Sequence, residues 1–289
     1  MHYFAYGSNL NRADLVRWSS ERGVHLLSLV PVGPAFLPDR ALAFTHRSTT
    51  RHGGVLDVPP ARGRCVAGVI FELDDRERAA LDRKEGDGHA YRRVEAVAIT
   101  PGGGESRVTV YEVDPAHRRR FIAPHPDYLD VVRGGYRAFE LDAAPLEAAA
   151  RNEPHPGAIH RLFVYGTLRQ GECRHPILVR HGADPLGEGR VDGTLFDLGA
   201  YPALRVTPRA QSVIGELYEV EDIGALIAEL DVVEGFGGFD RPGSPYRRAV
   251  VSARNARESM LAWTYLFAGN ADGVPVIPGG DWRRRQNVP

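Results

Sequence analysis

The sequence predicts an α+β protein made of two copies of one small domain, each a mixed β-sheet or barrel with helices packed on it. Three observations predict this. The chain repeats itself once at long range, strand-like segments outnumber helix-like ones, and no regular βαβ alternation marks a doubly wound sheet.

The repeat has several parts in one order. "YFAYGSNL" (3–10) is echoed by "LFVYGTLR" (162–169), where apolar residues run into Tyr-Gly and then a small hydroxyl residue, Ser8 or Thr167. "GVIFELDDRERAAL" (68–81) is echoed by "GELYEVEDIGALIAEL" (215–230). "ALDRKEGDGHAYRRV" (80–94) is echoed by "ELDVVEGFGGFDRPGSPYRRA" (229–249), both holding Leu-Asp-x-x-Glu-Gly and then Tyr-Arg-Arg. Tyr6 and Glu85 stand 79 residues apart, and Tyr165 and Glu234 stand 69 apart. A period of about 150 residues is too long for a solenoid and implies a duplicated domain. "DAAPLEAAARNEPHPGA" (142–158) reads as the end of the first copy running into a linker. The expected boundaries are 1–147, a linker at 148–159, and 160–289.

In the first copy, strands are expected at 2–6, 41–46, 65–73, 93–100 and 107–113, from β-branched and aromatic residues between Gly and Pro borders. Helices are expected at 11–22 with Asn11 as N-cap, at 74–85 between Asp74 and Gly86, and at 127–141, weakened by Gly134 and Gly135. The second copy repeats this with strands near 161–165, 190–197, 212–220, 247–254 and 260–267. Its helix at 221–234 carries Ile223, Leu226, Ile227, Leu230 and Val233 as an apolar stripe for the core.

Composition narrows the function. At 289 residues with 43% hydrophobic and 25% charged residues, the chain can bury a core that needs neither disulfides nor metals. A formal net charge of −1 leaves no electrostatic footprint for nucleic acid or a membrane surface. Arg283, Arg284 and Arg285 near the end read as a solvated terminus. Cys65 and Cys173 form no metal spacing, and the absence of a signal segment or long apolar run points to a soluble, cytoplasmic protein. Lys84 is the only lysine, and the glutamate after it rules out a P-loop; HExxH and GxSxG are also absent. The histidines of "APHP" (123–126) and "EPHP" (153–156) read as loop residues. No cofactor and no metal is expected.

Two features per copy remain. The first is the Tyr-Gly-[Ser/Thr] turn after the first strand. If its glycine takes positive φ, successive N–H groups converge on an anion. The second is a glutamate at a helix C-terminus, next to Gly. The helix dipole there disfavours a negative charge, and burial would add to this, raising the pKa toward that of a general base near neutral pH. An ordinary turn and an exposed helix end are the plain alternatives.

Together these motifs resemble the gamma-glutamylcyclotransferase-like superfamily, over nearly the full length of both copies. "YFAYGSN", "LDRKEG", "YRRV" and "PHPDYLDVVRGGY" make the first copy similar to the gamma-glutamylcyclotransferase branch. "FVYGTLRQGE", "YPAL", "LDVVEG", "AWTYLF" and "IPGGDW" make the second similar to the gamma-glutamylamine cyclotransferase branch. The resemblance implies Glu85 and Glu234 as general acid/base residues. It implies Tyr3, Phe4, Ala5, Tyr6, Gly7 and Ser8, and Tyr165, Gly166, Thr167 and Leu168, as segments that hold a gamma-glutamyl group through backbone amides. Tyr128 would touch substrate, and Tyr91 and Tyr246 would line the pockets. Twelve residues separate Glu234 from Tyr246 against six from Glu85 to Tyr91, so the two leaving-group pockets are expected to differ. The implied activity is that of a metal-free lyase or acyltransferase on a small gamma-glutamyl substrate. The substrate's own α-amine attacks the γ-carbonyl, releasing 5-oxoproline and an amine or amino acid. Two alternatives stay open, one catalytic copy beside a structural or regulatory one, and a non-catalytic ligand-binding protein. The leaving amine and the oligomeric state are not legible.

Overall fold

The structure, a computed structural model, describes residues 1–24, 29–86, 89–207, 211–239 and 241–285. The chain divides into two compact units, Met1–Thr100 with Glu105–Ala158, and Pro101–Gly104 with Ile159–Pro289. In the first, β1 (His2–Ala5), β2 (Val30–Arg40), β5 (Pro60–Glu72), β6 (Tyr91–Ile99) and β7 (Glu105–Val113) form a closed barrel in the order β1-β5-β2-β6-β7. A separate hairpin pairs β3 (Ala43–Ser48) with β4 (Gly53–Asp57). Helices α1 (Arg12–Arg22), α2 (Asp75–Glu85), α3 (Pro126–Ala138) and α4 (Ala144–Ala150) complete it.

The second unit has β8 (Arg161–Val164), α5 (His175–Arg180), β9 (Asp184–Asp197), β10 (Pro202–Val206), β11 (Ser212–Glu219), α6 (Ile223–Val233), β12 (Tyr246–Arg254) and β13 (Ser259–Phe267). Its sheet runs β10-β9-β11-β8-β13-β12, and a β9–β12 pairing closes five of these strands into a ring. The ring order matches that of the first unit strand for strand. In each, the first strand pairs antiparallel with the third ring strand in sequence and parallel with the last, through Tyr3↔Thr109 and Leu162↔Trp263. Two copies of one α+β barrel domain are thus confirmed.

Each ring buries its inward residues. The first core centres on Phe4, Phe44, Leu56, Leu81 and Val132, the second on Phe163, Leu195, Leu204, Leu217 and Trp282. Local signals place the helices. Asn11 caps α1 by accepting from the Asp14 N–H, and Asp74 and Glu77 form a reciprocal capping box on α2. Helix α3 passes through Gly134 and Gly135 because the turn after β1 presses there; a Cβ on Gly135 would lie 2.5 Å from Leu10 Cβ.

Several expectations are corrected. Strands β2, β4 and β10 and helices α4 and α5 are not among the expected elements; α4 stands where the sequence reads as the run into a linker. Val233 leaves the apolar stripe of α6, being only half-buried, while Ile223, Leu226, Ile227 and Leu230 fill the core. The tail arginines are not simply solvated. Arg283 reaches Glu216 at 3.1 Å, and the Arg285 guanidinium stacks 3.5 Å over buried Trp282. Residues 286–289 of that tail lie outside the described residues. No helix among the described residues is long and apolar enough to cross a membrane.

Candidate active site

Both units bring the turn after the first strand against the C-terminal end of the helix that ends in Glu-Gly. In each, the turn closes with the same backbone hydrogen bond, Leu10 N–H to the Gly7 carbonyl and Arg169 N–H to the Gly166 carbonyl, both 3.0 Å. The helix ends agree as well. Gly86 and Gly235 take φ of 65° and 67°, a left-handed conformation that glycine adopts without strain, so each glutamate is the last residue before a sharp exit.

The expectation that the Tyr-Gly glycine takes positive φ is wrong. Gly7 has φ of −129°, and Gly166 is not among the positive-φ glycines. At Gly166 the requirement is space, since a Cβ would meet Pro202 Cγ at 2.5 Å. Gly166→Ala is expected to cost the second unit about 1–3 kcal/mol by forcing the turn and β10 apart. A denaturant titration followed by fluorescence of Trp263 and Trp282, both in that unit, checks it.

In the first unit, a small cavity is lined by Tyr3, Tyr6, Gly7, Ser8, Tyr91 and Tyr128, with Asn9, Leu56, Tyr111 and Glu85. Phe4 and Ala5 do not line this cavity; they are fully buried in the barrel core. The Glu85 carboxylate is 15% exposed and accepts from Asn9 Nδ2 at 2.8 Å. Asn9 Nδ2 also donates to the Tyr3 hydroxyl, and its Oδ1 accepts from Lys84 Nζ at 2.7 Å. Lys84 Nζ sits 3.8 Å from Glu85 Oε1. Burial pushes the Lys84 ammonium below its ordinary pKa, and the nearby Glu85 and Asp14 oppose that. The only lysine therefore belongs to the site, and its hydrogen bond fixes which way the Asn9 amide points.

The tyrosines divide by what their hydroxyls do. Tyr6 donates to the Tyr111 carbonyl and Tyr91 to the Leu56 carbonyl, both at 2.6 Å. Tyr128 accepts from the Leu56 N–H at 3.3 Å, and Tyr3 accepts from Asn9. Among the described residues these two keep their own O–H protons uncommitted. Burial pushes Tyr128 up to about 12 and raises Tyr3 well above its ordinary value, with the Glu85 charge adding to both, so each hydroxyl stays protonated at neutral pH.

In the second unit, a cavity of about 280 Å³ is lined by Tyr165, Gly166, Thr167, Leu168, Glu234 and Tyr246, together with Arg174, Tyr201, Pro202 and Val232. Every residue expected for this site is there. Tyr165 donates to the Tyr265 carbonyl at 2.6 Å and Tyr246 to the Pro202 carbonyl at 2.7 Å, repeating the roles of Tyr6 and Tyr91. The carboxylate's surroundings do not repeat. Leu168 stands where Asn9 stands in the first unit, and Val233 where Lys84 stands. Glu234 has Arg174 Nη1 at 3.8 Å, and burial raises its pKa above the ordinary range against the pull of that guanidinium.

A second shared constellation explains the rest of the repeated motif. The Asp three residues before each glutamate meets the last arginine of Tyr-Arg-Arg and a tyrosine of the final strand. Asp82 takes both Arg93 contacts within 2.9 Å and the Tyr111 hydroxyl at 2.5 Å. Asp231 takes the Tyr265 hydroxyl at 2.8 Å and Arg248 Nη1 at 3.4 Å. These braces tie the glutamate-bearing helix to the two strands behind the site. The sequence displayed Asp, Arg and Tyr in both copies, yet only the fold shows that they meet.

Among the described residues no group of three or more His, Cys, Asp and Glu side chains is placed to hold a metal. The family model "Gamma-glutamyl cyclotransferase, AIG2-like" matches residues 3–130 and again 162–284. The chain is 32% identical over 126 residues, 43% of its length, to the "Gamma-glutamylcyclotransferase family protein YtfP" of Escherichia coli, covering 97% of that protein. It is 30% identical over 124 residues to the "Gamma-L-glutamyl-butirosin B gamma-glutamyl cyclotransferase" of Niallia circulans, covering 43% of this chain and 75% of that one. A solved "Gamma-glutamyl cyclotransferase" is 27% identical over 52% of this chain and 85% of its own, with a TM-score of 0.41. The family match spans both barrels and includes both turns and both glutamates, and the chain belongs to the gamma-glutamyl cyclotransferase, AIG2-like family as a tandem duplication.

Proposed function

We propose that each unit cleaves a gamma-glutamyl amide by intramolecular attack, with Glu85 and Glu234 as the acid/base residues. One observation carries the reading: in each unit the glutamate lines a cavity that the turn after the first strand also lines, and the two units have otherwise diverged. The backbone N–H groups of the turns, at Ser8 and Asn9 and at Thr167 and Leu168, would hold the substrate α-carboxylate. The carboxylate side chain takes a proton from the α-ammonium, whose pKa is about 8. The freed amine adds to the γ-carbonyl carbon and forms the C–N bond of a five-membered ring. In the first unit the uncommitted hydroxyls of Tyr3 and Tyr128 are the donors suited to the oxyanion that develops. The glutamic acid then gives its proton to the leaving nitrogen as the old C–N bond breaks, the ring nitrogen passes its extra proton through the same carboxylate to the departing amine, and 5-oxoproline and an ammonium depart. The nucleophile is part of the substrate, and the protein supplies conformation and proton transfer.

The test is 5-oxoproline release from a panel of gamma-glutamyl amino acids and gamma-glutamyl amines, with wild type, Glu85→Gln, Glu234→Gln and the double variant side by side. Each single variant is expected to lose a different part of the panel, and the double variant all of it. Loss of one part only, with the other glutamate silent, would leave one catalytic unit beside a structural one. A folded wild type that releases no 5-oxoproline from any member would overturn the reading and favour ligand binding.

A further inference from the structure

Resting on that reading, we infer that the two residues before each glutamate select the charge of the amine that leaves: Arg83-Lys84 favour an anionic amine in the first site, and Val232-Val233 a neutral, apolar one in the second.

The two helix ends are otherwise the same, Leu-Asp-x-x-Glu-Gly in both. Only the central pair switches from two cations to two valines, and both pairs line the approach to their glutamate. In the first unit that approach is a vestibule of about 960 Å³ that shares Ser8, Glu85, Tyr91 and Tyr128 with the small cavity. Its cations are Arg17, Arg22, Arg47, Arg51, Arg83 and Lys84, against the acids Asp14, Glu21 and Glu85. Asp14 is taken by Arg17 and, at both oxygens, by Arg51, while Arg22 sits beside Glu21. Among the described residues Arg47 and Arg83 have no carboxylate partner, so the vestibule holds unneutralised guanidinium charge facing the departing side of the glutamate. Such groups bind carboxylate or phosphate oxygens with charge-assisted hydrogen bonds.

The second approach is smaller and nearly uncharged. Arg174 and Glu234 are its only charged lining residues among those described, and they offset each other. At its mouth Val232 is 77% exposed and Tyr201 is 43% exposed. An apolar side chain left in water on a helix end beside a cavity contributes nothing to the core, and an apolar leaving group is the surface it can cover. An anionic leaving group there would lose its water without gaining a free cation.

The test exchanges the exposed member of each pair, with the other site silenced by Glu→Gln. Arg83 and Val232 both face solvent, so Arg83→Val and Val232→Arg are expected to fold, and a melt confirms it. The probes are gamma-glutamyl-aspartate, gamma-glutamyl-O-phosphoserine and gamma-glutamyl-butylamide. In the parent proteins the first site is expected to favour the anionic probes and the second the butylamide. Arg83→Val should raise KM for the anionic probes by roughly five- to tenfold with little change in kcat, and leave the butylamide unmoved. Val232→Arg should lower KM for the anionic probes in the second site. A larger effect on one anionic probe tells carboxylate from phosphate recognition. Release of 5-oxoproline with the same charge preference at both sites, or with a preference that neither exchange moves, overturns this inference and leaves the cyclotransferase reading standing. Release from no probe at either site overturns that reading instead.

Discussion

Glu234→Gln is expected to lose about 10²- to 10⁴-fold of second-site turnover and, at neutral pH, to melt at a higher temperature than wild type. The two effects have one cause. Burial holds the Glu234 carboxyl above its ordinary pKa in the folded unit, whereas in the unfolded chain it ionises near the usual glutamate value of about 4.3. Below that pH both states keep the proton, and the residue is neutral to stability. As pH rises toward the folded pKa, the unfolded chain has released its proton and the folded one has not, so stability is progressively lost. The loss levels off once both states are ionised. Glutamine carries no such pH dependence. The gain in melting temperature should therefore be absent in acid, grow with pH, and plateau. For the same reason the acid limb of the second site's rate profile should lie above the range of an exposed glutamate. A variant that melts lower than wild type at neutral pH would sink this account of the carboxylate.

Asp231→Ala is expected to destabilise the second unit by about 3–5 kcal/mol, because it removes a buried carboxylate that both the Arg248 guanidinium and the Tyr265 hydroxyl use. The Arg248 side chain is 0% exposed and Asp231 is 4% exposed. The guanidinium carbon lies 5.1 to 5.4 Å from the ring centroids of Phe236, Phe239 and Trp263, so the ion pair is enclosed by aromatic rings. The matching first-unit pair is far wetter, with Arg93 33% and Asp82 24% exposed, and Asp82→Ala should cost about 1 kcal/mol or less in ion-pair energy. Denaturant titrations read through Trp18 for the first unit and Trp263 for the second separate the two. Equal losses would mean that burial does not set the cost.

Much of this was legible because the chain states its motifs twice. The capped helices α1 and α2, the Glu-Gly exits and the turns after β1 and β8 all carry local chemistry that one strand or one helix decides. Strand β2 did not, since Pro31, Gly33, Pro34 and Pro38 read as breakers. The fold accepts them because register shifts interrupt the ladder at Pro31/Gly33 and Pro38/Arg40, and because β2 meets β6 only at Phe36↔Ile99, so few N–H groups are needed on that side. Asn9 and Lys84 were missed for a different reason. They stand 75 residues apart, and the hydrogen bond that brings them to Glu85 exists only after the barrel has closed. The positive φ expected of Gly7 failed because a tight turn of another type accommodates the same residues.

The parallel contact between first and last strands has a consequence for synthesis. Neither ring can close until its final strand has left the ribosome, so β1 waits for β7, and β8 waits for β13. Both copies lay their strands in one ring order, so while β8 waits for β13 it presents the edge that β7 of a still-open first copy would also fit. Divergence between the copies keeps them apart. Tyr3 has Leu162 as its counterpart, so an exchanged first strand would bring a tyrosine where an aliphatic residue belongs, or the reverse. Sequence differences between the copies at such positions thus favour the pairing of each strand within its own barrel.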